Sequence, residues 1–368
     1  MLLRRTSVLT LALAVASVLS GGVGGAEVSS PGASKGLHVS GNRLLDAHGR
    51  AVRLHGVNRA GTEYACVQGW GIFDGPSNAA SVKAMASWHV NSVRIPLNEQ
   101  CWLGINGIKP TLGGANYRRA ILRYVDLLHR HGMYAELALM WAAPGTYSAT
   151  YQPAGPDADH APAFWVSLAA TFKNHPNVIL APWGEPVINA DCFLNGGLCE
   201  ATFGPRNEPY RIAGMQQAVR LMRGAGYRGV IAIPGIDYAN NLSKWLSHKP
   251  RDPLGQLVAE AHIYGKNVCS STTCLNATLA PVAKRVPLLL GETGETYDAS
   301  SCGSTNISRF MKWADAHAAS YMAWTWNTWD NCSALIRDFA GKPFSRYGAW
   351  VKSHYEVTRA AAPLLGPR

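Results

Sequence analysis

Eight short apolar runs, separated by stretches with helical spacing, constrain this chain more than any other feature. They are 54–58 (LHGVN), 90–97 (VNSVRIPL), 134–141 (YAELALMW), 178–183 (VILAPW), 229–234 (GVIAIP), 258–264 (VAEAHIY), 287–292 (PLLLGE) and 321–326 (YMAWTW). Short, nearly continuous apolar runs read as strands buried on both faces, the pattern of a parallel sheet. Helical spacing lies between them, as in 117–131 and 208–225. In 117–131, Ile121, Leu122, Val125 and Leu128 make one apolar face, while Arg118, Arg119, Arg123 and Arg130 stay polar. Eight strand-then-helix units predict the α/β class and a closed (β/α)8 TIM barrel better than an open doubly wound sheet. No GxGxxG follows the first run, so the dinucleotide-binding fingerprint is missing. Residues 37–53 read as short strands turning at Gly41-Asn42 and His48-Gly49, a β-hairpin placed to close the barrel bottom. No linker or repeat marks a second domain, so 27–368 is read as one catalytic domain.

Composition narrows the function classes. An apolar fraction of 47% with 12 Trp excludes disorder. The net charge is +11, but the basic residues are scattered, with clusters no longer than pairs such as Lys284-Arg285. A nucleic-acid partner would need a basic patch interleaved with aromatics, and none is expected. Arg4-Arg5, the apolar run from Val8 to Leu19 and the small residues Gly24-Gly25-Ala26 form a secretory signal peptide over 1–26. That run is shorter than the ~20 residues a membrane span takes, so stable membrane insertion is not expected. The mature protein is read as secreted, starting near Glu27, and as a monomer.

Eight cysteines suit an oxidising compartment. Locality pairs Cys192 with Cys199 and Cys269 with Cys274 around small loops, and leaves Cys66–Cys101 and Cys302–Cys332 as longer staples. This choice rests on locality alone, because eight cysteines allow about 105 pairings.

Polar and aromatic residues fall where the strands end, which is where barrel enzymes carry their chemistry. Asn58 ends the first strand, Arg94 lies near the end of the second and Trp141 closes the third. Glu185 follows Trp183-Gly184 after the fourth. His262 and Tyr264 end the sixth, Glu292 the seventh, and Trp324 and Trp326 the eighth. One glutamate beyond a strand is commonplace. Two of them on opposite strands, with Arg, His, Tyr and Trp converging, suit a carbohydrate site. A retaining glycosidase needs two carboxyl groups about 5–5.5 Å apart, one as acid/base and one as nucleophile. Indole rings offer flat apolar faces for sugar rings. Neither HxxxH nor HExxH occurs, and His129 and His131 point to different faces of one helix, so no metal or other cofactor is expected. GxSxG is absent as well, against a serine hydrolase. His160, in PDADH (156–160), reads as a solvated loop residue.

At these residues the chain resembles glycoside hydrolase family 5, the cellulase-like (β/α)8 barrels, from about residue 37 to 356. The resemblance is carried by GVN (56–58), VRIPLN (93–98), HIY (262–264), GETG (291–294), WTWN (324–327) and the tail LIRDFAGKPFSRYG (335–348). It implies Glu185 in WGEP as acid/base and Glu292 in GETG as nucleophile. Arg94 is then the arginine beside the nucleophile, His262 and Tyr264 the pair contacting the nucleophile and the reacting sugar, and Trp324 the stacking platform. With Asn58 and Trp141 these residues are expected to line the substrate site. Two positions depart from the family pattern. Gly184 stands where an asparagine normally holds the sugar 2-hydroxyl, and Met140 stands where a histidine is usual. The expectation is a wall short of polar contacts, with the space at Gly184 open to water or a substrate substituent. The implied activity is hydrolysis of a β-linked glycan, oligosaccharide or glycoside, and the rival is a non-catalytic carbohydrate-binding barrel. Segments 143–163 and 188–207 are long enough to form a specificity element.

Overall fold

A computed structural model of the protein describes residues 36–358. The expected signal peptide, 1–26, lies outside them. All eight apolar runs become strands of one closed parallel barrel. They are β1 (His55–Asn58), β2 (Ser92–Asn98), β3 (Tyr134–Trp141), β4 (Val178–Ala181), β5 (Val230–Pro234), β6 (Leu257–Gly265), β7 (Leu288–Thr296) and β8 (Ser320–Ala323). Each pairs with the next in the chain, and β8 closes on β1. Every residue in them is buried except the half-buried Trp141, which is why the runs read as continuous rather than alternating. The helix Ala115–Arg130 buries Tyr117, Ala120, Ile121, Tyr124, Val125 and Leu128. Ile121, Val125 and Leu128 each contribute about 1.5–3 kcal/mol on burial.

The barrel bottom is closed by a three-stranded antiparallel ribbon, His38–Ser40, Arg43–Leu45 and Ala51–Val52, the expected hairpin with one short strand added. Its Leu37, Leu44 and Val52 pack with Leu54 against interior residues such as Ile179, Val230 and Met322.

One expectation is corrected. Residues 208–225 do not form one helix: Glu208–Ala213 is a strand paired antiparallel with Gly196–Phe203, and the helix begins at Met215. The buried face of 208–213 (Tyr210, Ile212, Ala213) packs against residues 143–163, where Tyr210 Oη donates to Gly155 O at 2.9 Å. Tyr151 also stacks on Phe203 at 4.4 Å. Long-range contacts decide this segment, not its local spacing.

The structure holds disulfides Cys66–Cys101, Cys192–Cys199, Cys269–Cys274 and Cys302–Cys332. Their Cα separations of 6.3, 6.1, 5.4 and 4.6 Å fall within the span a disulfide bridges. Non-reducing peptide mapping of the exported protein is expected to return these four linked pairs and an N-terminus near Glu27. Eight free thiols would refute both pairing and compartment.

Candidate active site

Strand registers break where the candidate residues sit. The β6–β7 ladder shifts between Ala261 and His262, and the β7–β8 ladder between Leu290 and Thr293. Such irregularities re-aim side chains at the end of a sheet. Here they bring His262, Tyr264 and Glu292 toward Glu185. The two glycines of GETG are required by close packing. A Cβ on Gly291 would collide with the Glu260 carboxylate, and one on Gly294 would come within 2.8 Å of the Tyr264 ring.

One carboxylate oxygen of Glu185, one of Glu292 and a ring nitrogen of His262 all lie within 4.8 Å of one another. Arg94 Nη1 donates to Glu292 Oε1 at 2.6 Å, and Tyr264 Oη donates to Glu292 Oε2 at 2.7 Å. Both Glu292 oxygens are therefore held. Asn58 accepts from Arg94 Nη1 at 3.0 Å and donates to Gly291 O at 2.9 Å. Asn58 and Arg94 are fully buried, and Arg94, held by Asn58, braces the Glu292 carboxylate directly. His262 Nδ1 stands 3.7 Å from Glu292 Oε1, and its hydrogen bond, at 2.8 Å, goes to Glu185 Oε1 of the candidate acid/base. Trp141 and Trp324 are half-buried at the barrel mouth, and the Trp324–Thr325 peptide is cis.

Two members of the site escaped the sequence reading. Glu136 on β3 and Glu260 on β6 are completely buried, each 3.3 Å from Arg94 Nε. Burial, reinforced by Glu260, pushes the Glu136 carboxyl well above the usual carboxylate range. Burial acts on Glu260 in the same direction, but Arg94 and His262 outweigh it and hold Glu260 ionised. Burial alone would lower His262. The Glu292 charge and hydrogen bonds to Glu185 and Glu260 overturn that and hold it at about 10. The trio of Glu185, His262 and Glu292 is joined to Arg94 and Glu260 in one charge network, in which Arg94 and His262 face the carboxyl groups of Glu260 and Glu292. A charge inside an apolar strand was the available signal for Glu136 and Glu260.

The His262 ring is expected to carry protons on both nitrogens at pH 8, which a long-range nitrogen NMR spectrum reads directly. Its folded value lies above the ordinary 6.5. Its contribution to stability is therefore complete below about 6.5 and is lost as pH rises through about 10.

The departures at Gly184 and Met140 are coupled, and the expected open space is absent. A Cβ on Gly184 would collide with Met140 Sδ. The thioether fills the volume, with Arg94 Nη2 3.4 Å from its sulfur. The wall is short of donors, as expected, but it is packed. Gly184→Asn alone is expected to cost about 1–3 kcal/mol by overpacking. Pairing it with Met140→Ala should recover most of that in urea denaturation. Equal stability of the single variant and the parent would contradict the packing argument.

His160 is not freely solvated. Its Nδ1 donates to Ala143 O at 3.1 Å and its backbone N–H to Asp157 Oδ1 at 2.8 Å, at the start of the helix Ala161–Phe172. Gln152, in the same long loop, donates to the backbone O of Glu185 at 2.7 Å. The loop 143–163 is thereby tied to the candidate acid/base.

A closed parallel barrel with two close carboxyl groups at the ends of β4 and β7, one clamped by arginine and tyrosine, defines a barrel glycoside hydrolase. Comparison with known proteins gives the family. The model of cellulase (glycosyl hydrolase family 5) matches residues 45–330, and the chain belongs to that family. It is 24% identical over 332 residues to a mannan endo-1,4-beta-mannosidase of Streptomyces lividans, covering 86% of this chain and 73% of that protein. Among solved structures, a beta-glucanase from Saccharophagus degradans in complex with cellotetraose superposes with a TM-score of 0.65. It is 17% identical and covers 88% of this chain and 94% of its own. The catalytic domain of a mannanase from Streptomyces sp. SirexAA-E gives 0.60 at 20% identity, covering 89% and 92%. The catalytic domain of a Thermobifida fusca endoglucanase gives 0.61 at 17%, covering 88% and 98%. At these identities the structural likeness establishes the fold alone.

Proposed function

We propose that the protein is a secreted, retaining β-glycosidase that cleaves β-linked gluco- or manno-configured chains by double displacement. The observation that carries this is the approach of Glu185 and Glu292 to within 4.8 Å. Retaining enzymes hold their carboxyls about 5–5.5 Å apart, whereas inverting ones leave about 6.5–9.5 Å for a water. Glu185 protonates the leaving oxygen while Glu292 attacks the anomeric carbon. Glu185 then takes a proton from the water that releases the sugar. Arg94 and Tyr264 hold Glu292 with one face of its carboxylate toward the sugar. His262 fixes Glu185 at the other side of the scissile bond. The relatives named as mannosidase and glucanase support a hexopyranose substrate.

Incubation with activated 2-fluoro glycosides of gluco and manno configuration, followed by intact mass and peptide mapping, tests the reading. One sugar added on Glu292 is expected. Absence of an adduct, together with no turnover of any aryl β-glycoside or β-glucan or mannan oligosaccharide, would leave a carbohydrate-binding barrel instead. Glu185→Ala is expected to spare substrates with good leaving groups, such as dinitrophenyl glycosides, far more than oligosaccharides, because only the latter need the proton.

A further inference from the structure

Beyond Trp324 the mouth of the barrel carries more indole rings, and they share one support. Tyr64, in the loop after β1, is buried at 8% exposure. Three tryptophans lean on its ring: Trp70 edge-on at 5.6 Å, Trp141 at 6.1 Å and Trp329 at 6.2 Å. Trp324 stands 6.2 Å from Trp329, so the rings form a continuous group from Trp324 to Trp70. Trp70 is 66% exposed, a large apolar surface left to solvent.

The support is a single carboxylate oxygen. Asp74 Oδ2 accepts from Tyr64 Oη at 2.5 Å, Asn327 Nδ2 at 3.2 Å and Trp329 Nε1 at 3.2 Å. It thus joins the loop after β1 to the loop after β8. The residue is itself anchored: Arg59 Nη2 donates to Asp74 O at 2.5 Å, and the Arg59 guanidinium lies over the Phe339 ring at 5.1 Å. Burial would raise the Asp74 carboxyl, but its bonds to Tyr64, Asn327 and Trp329 and the nearby Arg59 hold it below the usual range. An anionic acceptor fixes the polar edges of Tyr64 and Trp329 and so fixes how their rings are tilted. Among the described residues, no hydrogen bond joins Asp74, Tyr64 or Trp329 to Glu185 or Glu292.

We propose that Asp74 is a positioning residue that holds Tyr64 and Trp329, and with them Trp70 and Trp141, as a second sugar-stacking platform for a further pyranose ring of a β-linked chain. The inference rests on the glycosidase reading for its substrate class. It names a residue that sets chain-length preference without touching the reacting atoms.

The test compares the parent with Asp74→Ala, Asp74→Asn and Trp70→Ala on two kinds of substrate. One kind is aryl β-monoglycosides of glucose and mannose; the other is cellotetraose and mannotetraose, for which affinity is also read by calorimetry. Loss of hydrogen bonds to a charged acceptor should raise the tetrasaccharide KM and Kd of Asp74→Ala roughly tenfold more than the aryl monoglycoside KM. Tetrasaccharide kcat should move much less than KM. Asp74→Asn, whose amide oxygen still accepts, should lie between the two. Trp70→Ala removes an exposed ring, so it should raise tetrasaccharide KM without lowering the melting temperature. Parallel losses on both substrate kinds would make Asp74 merely structural and overturn the proposal. An unchanged tetrasaccharide Kd in both alanine variants, or no tetrasaccharide binding by the parent, would overturn it too. Failure of the glycosidase reading looks different. The parent would turn over nothing, while Asp74-dependent tetrasaccharide binding would still uphold the platform.

Discussion

Replacing Glu292 by alanine is expected to lower turnover at least about 10⁴-fold, because the covalent route then has no nucleophile. The fold should survive, since Arg94 keeps Glu260 as an ionised partner at 3.3 Å. Azide, small enough to enter the space left by the carboxylate, should restore part of the rate on activated glycosides. Attack from the Glu292 side inverts the anomeric centre, so a β-glycoside should yield the α-glycosyl azide. The same rescue of Glu185→Ala should instead intercept the glycosyl-enzyme and give the β-azide. Product configuration, read by proton NMR, assigns the two roles independently of rate. A β-azide from Glu292→Ala would exchange them, and substantial activity without azide would remove Glu292 from the chemistry.

The second large effect belongs to Arg94→Leu. This guanidinium is fully buried and touches Glu136, Glu260 and Glu292. Removing one partner of a buried ionic group typically costs about 3–5 kcal/mol, because the remaining charges are left in a poor solvent. Urea denaturation at pH 7 should show a loss of that size. The loss should be smaller at pH 4.5, where the carboxylates freed from Arg94 accept protons more readily. Adding Glu260→Gln removes one stranded anion and should return part of the stability. Activity should not return, since Glu292 still lacks the cation that holds and aligns it; about 10²–10³-fold in kcat is expected to be missing. Full recovery of activity in the double variant would show that Arg94 serves the fold and not Glu292.

The barrel was legible because strands buried on both faces need no partner information to be recognised. VILAPW is apolar throughout, whatever surrounds it. Glu185, Glu292, His262 and Tyr264 were legible for a related reason, since each stands at the end of such a run. The hairpin Gly196–Phe203 with Glu208–Ala213 was not, because half its residues face solvent and its inner face is completed by residues about 50 positions away. Glu136 and Glu260 were passed over for want of their partner. Arg94, 42 residues from Glu136, turns a charge in a strand from an oddity into part of a network. Met140 and Gly184 could each be seen as unusual. That one fills the space of the other follows only from the curvature that sets β3 beside β4. Asp74 gave no signal, because its donors come from two loops joined only by barrel closure.

The four disulfides have a consequence for how this molecule can change. Cys66, Cys101, Cys192, Cys199, Cys269, Cys274, Cys302 and Cys332 all lie in segments that leave the C-terminal ends of strands, and none lies in a barrel strand. The covalent links therefore brace the rim that meets substrate, and the barrel relies on its own packing. A division of this kind separates two evolutionary pressures. The loops closed by Cys192–Cys199 and Cys269–Cys274 each carry their own clasp and can be exchanged singly, whereas Cys66–Cys101 and Cys302–Cys332 tie neighbouring loops that must change together. The glutamates, seated at the strand ends, inherit the same register throughout. Substrate preference can then change in the bridged loops, at little cost to a centre that stays where it was.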